Sequence, residues 1–200
     1  MLFLELNTLN TIMKKTLALV IILTATSVAM YGQFTHAGLA GGYGLSIKEP
    51  GFGLYGMYTA NEQVKIVPSV MYFLPHEIVT SDGTQNFSWW IFNLDGNYIV
   101  LDQVAFQAYG LMGLSVVYLK GEQDEPPFQD IKYQYKMGLN VGAGIRLPIS
   151  DKVAPFAELK LTLGDEAYFS YRKISTTQLS ITAGILIRIA PDKVRDTEEY

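Results

Sequence analysis

Residues 131–149 read IKYQYKMGLNVGAGIRLPI. Every odd position is apolar or aromatic, while the even ones run Lys132, Gln134, Lys136, Gly138, Asn140, Gly142, Gly144 and Arg146. A period of two means an extended strand, because successive side chains leave opposite faces. Strands in soluble proteins usually hold five or six residues, and this run is about three times that. It therefore needs surroundings that reward one long apolar face.

The pattern recurs along the chain. Candidate strands are 36–47, 51–59, 64–74, 87–100, 104–120, 131–149, 153–163 and 178–189, an even number. The last sends Leu179, Ile181, Ala183, Ile185, Ile187 and Ile189 one way and Gln178, Ser180, Thr182, Gly184 and Arg188 the other. In the fourth, Trp90, Phe92, Leu94, Tyr98 and Val100 oppose Asn93, Asp95 and Asn97, and the fifth gathers Phe106, Ala108, Gly110, Met112, Leu114, Val116 and Tyr118 on its apolar side. The second alternates too weakly for its faces to be assigned. Short turns at Asn61, Leu101 and Ser150 take turns with longer polar stretches at 75–86, 121–130 and 164–177, and only the connection at Lys48 breaks that rule by being short. Short turns on one side and long loops on the other mark an up-and-down membrane barrel, with the short side periplasmic.

The rest of the composition narrows the class. At 49% hydrophobic and 12% aromatic residues the chain has ample material for a folded core. A formal charge of −4, with both signs interspersed, gives no footprint for nucleic acid. No cysteine is present, which removes disulfides, thiolate metal sites and the lipid-bearing cysteine of a lipoprotein. Met13-Lys14-Lys15 followed by TLALVIILTATSVAM and the small residues Ser27, Ala29 and Gly32 reads as a secretory signal peptide over 13–32, cleaved after Gly32 or Ala29. Residues 1–12 precede this second start and read as an extension from a mis-chosen initiation site; 33–190 form the barrel and 191–200 a charged tail.

Two stretches, NVGAGIRLPISDKV from Asn140 and TAGILIRIAPDKV from Thr182, repeat Gly, Ile-Arg-apolar, Pro and Asp-Lys-Val, so the unit is a hairpin in one meandering sheet. A tilted spanning strand needs about 9–11 residues, which each segment nearly supplies or exceeds. Backbone groups in hydrocarbon must all pair, so the strands must close. On the fourth strand Trp90 and Tyr98 lie roughly 20 Å apart along the membrane normal, a girdle-to-girdle spacing. Tyr118, Tyr133 and Tyr135 near loop-side ends and Phe106 near a turn-side end complete the expected belts.

On these residues the chain resembles the small bacterial outer-membrane barrels of the OmpA/OmpX/OmpW type, and particularly the outer-membrane β-barrel domain proteins abundant in Bacteroidetes. The resemblance covers about 33–189. It implies an eight-stranded antiparallel all-β barrel in the outer membrane of a Gram-negative bacterium, with lipid, lipopolysaccharide and the barrel-assembly machinery as partners; the sequence does not fix the oligomeric state, and a monomer is the favoured expectation. Thr182-Ala183-Gly184-Ile185-Leu186-Ile187-Arg188-Ile189 resembles the assembly signal, carried by Thr182, Gly184, Ile187 and Ile189. That family usually ends on an aromatic residue, whereas here residues 191–200 follow.

An eight-stranded interior holds only side chains. Parity sends Lys65, Asp95, Arg146, Glu158, Lys160 and Arg188 inward, and the repeat places Arg146 and Arg188 on either side of the strand carrying Glu158, which predicts a buried Arg-Glu-Arg cluster. Such charges tolerate burial only when paired. The bland reading is a polar plug and the sharper one a gated ion path or proton relay. Catalysis has little to work with: the only histidines are His36 and His76, and His76, Glu77, Ser81 and Asp82 read as a solvated loop rather than a hydrolase site. No cofactor is implied. Glu122, Asp124, Glu125 and Asp130 read as an acidic loop before they read as a Ca²⁺ site. Loop residues Phe128, Tyr168, Phe169, Tyr171, Arg172 and Lys173 offer cations beside aromatics, a set suited to lipopolysaccharide phosphates or a host polymer. The expected role is non-enzymatic, structural or loop-mediated binding in the envelope; the alternatives are a narrow conduit for small hydrophobic molecules, a secreted lipocalin-like barrel and a lipid A-modifying hydrolase.

Overall fold

The computed structural model describes residues 34–80, 83–123, 132–169 and 172–190. The expected signal peptide and charged tail lie outside them. Ten strands follow in chain order: β1 (Phe34–Gly44), β2 (Glu49–Thr59), β3 (Val64–Thr80), β4 (Gly83–Asp102), β5 (Gln107–Gln123), β6 (Lys132–Arg146), β7 (Val153–Gly164), β8 (Glu166–Phe169), β9 (Arg172–Ser175) and β10 (Gln178–Arg188). Eight of them close into one barrel in the order β1-β10-β7-β6-β5-β4-β3-β2, every neighbouring pair antiparallel, while β8 and β9 form a hairpin of their own. This is the all-β up-and-down architecture that the alternation implies.

Two of the expected long loops are not loops. Residues 75–80 and 83–86 continue the β3–β4 ladder, with His76 opposite Phe87 and Thr80 opposite Gly83, past a register shift between Phe73 and His76. Beyond the membrane a two-stranded ladder still satisfies backbone groups, and the β-branched Ile78, Val79, Thr80 and Thr84 favour extension. In the 164–177 connection, residues 166–169 and 172–175 pair as the β8–β9 hairpin. On the turn side β5 and β6 are shorter than expected, while β1 and β4 run two residues further. Val104 and Phe106 belong to the β4–β5 turn, and β6 stops at Arg146, two residues before Pro148.

The barrel rim is stepped. Strands β3, β4, β5 and β6 hold 17, 20, 17 and 15 residues, whereas β7, β10, β1 and β2 hold 12, 11, 11 and 11. These are two contiguous halves of the wall. A register row followed from Gly42 through Thr182, Glu158, Gly144 and Tyr109 to Ile99 starts near the loop-side end of β1 and finishes near the turn-side end of β4. Rows therefore fall around the barrel, as strand tilt requires. With that slope and about 3.3 Å per residue, the loop-side ends of β3–β6 stand roughly 15 Å above those of β7, β10, β1 and β2, while the turn-side ends scatter over less than about 10 Å.

The outer face is apolar. Leu39, Met112, Tyr135, Met137 and Ile187 all point outward and are exposed. A secreted lipocalin-type barrel has the opposite polarity, so that alternative is set aside by the exterior. The inner face of β4 reads Phe87, Trp89, Ile91, then Asn93, Asp95, Asn97, then Ile99, all buried. Polar residues thus occupy the middle of the lumen and an apolar stack its loop side. That stack rises along the tall wall, where no opposite wall faces it. Ile47 of the β1–β2 turn and Ala167 of β8 pack into the same cluster as Phe73, Phe87, Trp89, Val117 and Leu119, and Ile174 of β9 leans on it. The hairpin and the turn supply the cover that the short strands do not.

Candidate functional site

The lumen is built by pairing bulky inward side chains with glycines on neighbouring strands. A Cβ on Gly144 would lie 2.5 Å from the Tyr109 ring, and one on Gly138 would lie 2.6 Å from Ser115 Oγ. Glycine at these inward positions is what lets Tyr109 lie flat against β6. The same device on β2 sets Gly51 against Phe73 and Gly53 against Met71 of β3, and Tyr55 and Met57 fill the next inward positions, which is why no alternation was legible there: until Thr59 the inward face carries glycine and large groups in place of the usual polar marks.

At mid-lumen, Lys160 Nζ lies 2.7 Å from Asp95 Oδ2, both side chains almost wholly buried. Asn140 Nδ2 donates to Asp95 Oδ1 at 2.7 Å and to Asn93 Oδ1 at 2.9 Å, and Thr162 Oγ1 donates to Asn140 Oδ1 at 2.8 Å. Asn93 Nδ2 extends the chain to Ser69 Oγ at 3.1 Å. Five strands, β3, β4, β5, β6 and β7, frame this network, β5 supplying Leu114 O to Asn140. Nearer the turn side Tyr109 donates to Glu158 Oε1 at 2.9 Å, Arg146 stands 5.2 Å from the Tyr109 ring centroid, and Arg146 reaches Gln107 Oε1 at 3.3 Å. Gln107 in turn donates to Asp102 at 3.0 Å.

Of the six charges that parity sends inward, Asp95, Lys160, Glu158 and Arg146 are brought into this middle zone. Lys65 is buried at the turn-side mouth and donates to Asn61 O at 3.1 Å. Arg188 is half-buried at the turn-side rim, where Nε donates to Ala190 O at 3.2 Å. The expected Arg-Glu-Arg cluster does not form around Glu158. Glu158 is registered with Thr182, so Arg188 falls six residues further along β10, roughly 20 Å away. Asn93, Asn140, Tyr109, Ser69 and Thr162 are members that parity offered and that charge alone passed over, and Tyr55 comes from the strand whose faces parity did not assign. Among the described residues, the Tyr55 hydroxyl, both amide atoms of Asn97, Ser115 Oγ and Glu158 Oε2 are buried without a protein hydrogen-bond partner.

Outside, the aromatic belt is a register feature. Phe52 is opposite Tyr72, Tyr72 opposite Trp90, Trp90 opposite Tyr118 and Tyr118 opposite Tyr135. Ring centroids are 5.4 Å apart for Phe52–Tyr72, 4.7 Å for Tyr72–Trp90 and 4.9 Å for Tyr118–Tyr135, with Tyr133 stacked on Tyr118 at 5.8 Å. Phe52 and Tyr72 join the belt residues read from the sequence. On the turn side Tyr98 is outward and donates to Gln63 at 3.3 Å, with Phe106 exposed nearby.

At the loop side, the exposed Lys173 pairs with Glu166 at 3.1 Å, Tyr168 donates to Glu166 at 3.0 Å, and Lys173 and Lys136 stand 5.3 and 5.8 Å from the Tyr168 ring centroid. Gln134 clasps the Tyr168 backbone, accepting from its N–H at 3.1 Å and donating to its carbonyl. The hydrogen bond from Lys173, and then that from Tyr168, hold the Glu166 carboxyl below its usual range. The same bond raises Lys173. Phe169 faces Arg172 in the backbone ladder. Phe128, Tyr171, Ser81, Asp82, Asp124, Glu125 and Asp130 lie outside the described residues. On β10, Thr182 is buried inward, Gly184 faces the lumen, and Ile187 and Ile189 are exposed.

A closed ring of eight tilted strands, lipid-facing outside and polar at mid-lumen, defines the class of eight-stranded outer-membrane β-barrels. Solved structures of that class share the fold. A major outer membrane protein from Thermus thermophilus matches with TM-score 0.57 at 12% identity, over 78% of this chain and 98% of that one. Neisserial surface protein A (NspA) matches with TM-score 0.54 at 14% identity, over 78% and 96%. Ail, the attachment invasion locus protein of Yersinia pestis, in complex with the heparin analogue sucrose octasulfate, matches with TM-score 0.52 at 15% identity, over 79% and 99%. No protein-family model and no curated protein matches the sequence.

Proposed function

We propose that the protein is an integral barrel of the Gram-negative outer membrane without catalytic activity: a sealed scaffold whose loop-side rim binds. One observation carries the sealed part. The Asp95 carboxylate, gripped at 2.7 Å by both Lys160 and Asn140, crosses the middle of the lumen. A conduit for small hydrophobic molecules would have to move an apolar solute past a buried ion pair and then past Trp89 and Phe73, both under 2% exposed. Reconstitution into planar bilayers tests this. Current at baseline over hours is expected, whereas steady conductance or uptake of a hydrophobic dye sinks the sealed reading. The orphaned Tyr55, Asn97 and Ser115 groups favour a second reading, a thread of water through the lumen, which the same recording detects as proton current.

For the rim, Tyr168, Arg172 and Lys173 on the β8–β9 hairpin are the proposed polyanion contacts, with lipopolysaccharide phosphate as the ligand chemistry. The complex of Ail with the heparin analogue sucrose octasulfate supports the idea that a barrel of this fold takes a polyanion. Reversal of Arg172 and Lys173 to Glu is expected to weaken lipopolysaccharide binding in calorimetry, and unchanged binding removes this part. Residues 13–32 are proposed to direct export, and Thr182, Gly184, Ile187 and Ile189 to be read by the assembly machinery before β10 closes on β1.

A further inference from the structure

Register rows in this barrel slope, and the aromatic belt lies along one of them. Phe52, Tyr72, Trp90, Tyr118 and Tyr135 occupy successive strands from β2 to β6 in direct register. Strands about 4.8 Å apart, tilted by about 40°, make each step climb about 3 Å, so Tyr135 stands roughly 12 Å higher along the barrel axis than Phe52. The next outward row, Leu54, Val70, Phe92, Val116 and Met137, keeps the same slope and is wholly apolar. Charge follows it too: on the low side the exposed Lys48 stands in the turn after β1, and on the high side Lys120 comes above the belt. The turn-side boundary has no matching slope. Tyr58 on β2 and Tyr98 on β4 both lie near the turn-side ends of their strands. The lipid-facing band is thus a wedge, narrow at β1–β2 and broad at β5–β6.

Interfacial aromatics and the first charges fix where the headgroups sit. We infer that the outer leaflet meets this barrel along a slanted line, reaching about 12 Å lower on β1–β2 than on β5–β6, either by barrel tilt or by local thinning of the leaflet. The partner of this surface is the lipid itself. The low rim at residues 45–48, with Ile47 packed over the mouth, is then brought to headgroup level rather than left buried in hydrocarbon. The inference rests on the membrane reading above.

The absence of cysteine makes the test direct. Single-cysteine chains Phe52→Cys and Tyr135→Cys, and as a second row Leu54→Cys and Met137→Cys, are nitroxide-labelled after refolding into phosphatidylcholine bilayers. Their depth is read from collision with oxygen against a nickel chelate. Equal depths within each row, to about 3 Å, are expected despite the climb of roughly 12 Å. A label at Phe52→Cys lying about 10 Å deeper than one at Tyr135→Cys overturns the slant, as does one at Tyr135→Cys standing that far out in water. The two rows sit on lipid-facing sites, so failure of one pair to fold leaves the other. If the barrel is not in the membrane at all, labels in both rows meet the nickel chelate freely, an outcome distinct from a level belt.

Discussion

The two storeys of the lumen are filled on different principles. The middle storey is polar and interlocked: Asp95 holds Lys160 and Asn140, Asn140 holds Thr162, and Tyr109 holds Glu158. The loop-side storey is a stack of Trp89, Phe73, Phe87, Val117 and Leu119 under the cover of Ala167 and Ile47. Hydrogen bonds are directional, so the polar storey specifies which strand faces which and in what register. Apolar burial is not directional but scales with area, so the upper storey contributes stabilisation and excludes water. A barrel this narrow needs both, because its exterior gains nothing by leaving lipid.

The comparison breaks first at Asp95. Asp95→Ala leaves the Lys160 ammonium buried without its carboxylate, a loss of about 3–5 kcal/mol. Urea unfolding followed by the heat-modifiable gel shift is expected to show it. The double change of Asp95→Leu with Lys160→Met removes both charges and is expected to recover most of that loss. If the double variant is as unstable as the single one, the ion pair is stabilising in itself and the register argument fails. Next is the upper storey. Leu119 has no exposed surface, and Leu119→Ala is expected to cost about 2–5 kcal/mol through lost burial and a cavity, with no change in how the strands register. Amide exchange along β5 that revealed slipped pairing would show that the apolar storey specifies register as well. Tyr109→Phe is smaller, at about 1–3 kcal/mol, the cost of leaving the buried Glu158 Oε1 without its donor. It is expected to act locally, loosening amides around Glu158 on β7.

These storeys differ in how legible they were. Along β6 and β10 the outward face is apolar and the inward face, Leu186 apart, is glycine or polar, so parity reports membrane against lumen. In β4 that contrast vanishes on the loop side, where Phe87, Trp89 and Ile91 face inward while Trp90 and Phe92 face lipid. Apolar on both sides has no period of two, and the apolar stack was invisible for that reason. Charges at inward positions were legible as Asp95, Lys160, Glu158 and Arg146. Their partnerships were not, since Lys160 and Asp95 are 65 residues apart in the chain and meet only through the closed register. Arg188 shows the same limit from the other side. Its parity is right, yet aligning two repeats as equivalent ignores the slope of the rows, which carries it to the rim.

The smallest effect expected lies above both storeys, in the hairpin that covers them. Glu166 and Lys173 are exposed, so their contact is screened by salt and weak. Hydrogen bonding from Lys173 depresses the Glu166 carboxyl, so the stabilisation from that group is present above the ordinary carboxylate range and is lost as pH falls through the depressed value. Hydrogen bonding to Glu166 raises Lys173, so its share is present below the ordinary lysine range and is lost as pH rises through the raised value. Between these limits the tether is intact. Acidification is expected to lower the protection factors of the Tyr168 and Lys173 amides, which face each other in the hairpin, once the slower intrinsic exchange in acid is divided out, while the unfolding midpoint of the barrel stays still. Lys173→Ala is expected to return Glu166 toward its ordinary titration, again without moving that midpoint. A shift of the midpoint in Lys173→Ala would mean that the cover is held by its ion pair and not by Ala167 seated on the apolar stack, and the division between directional and apolar contacts would then extend to the lid as well.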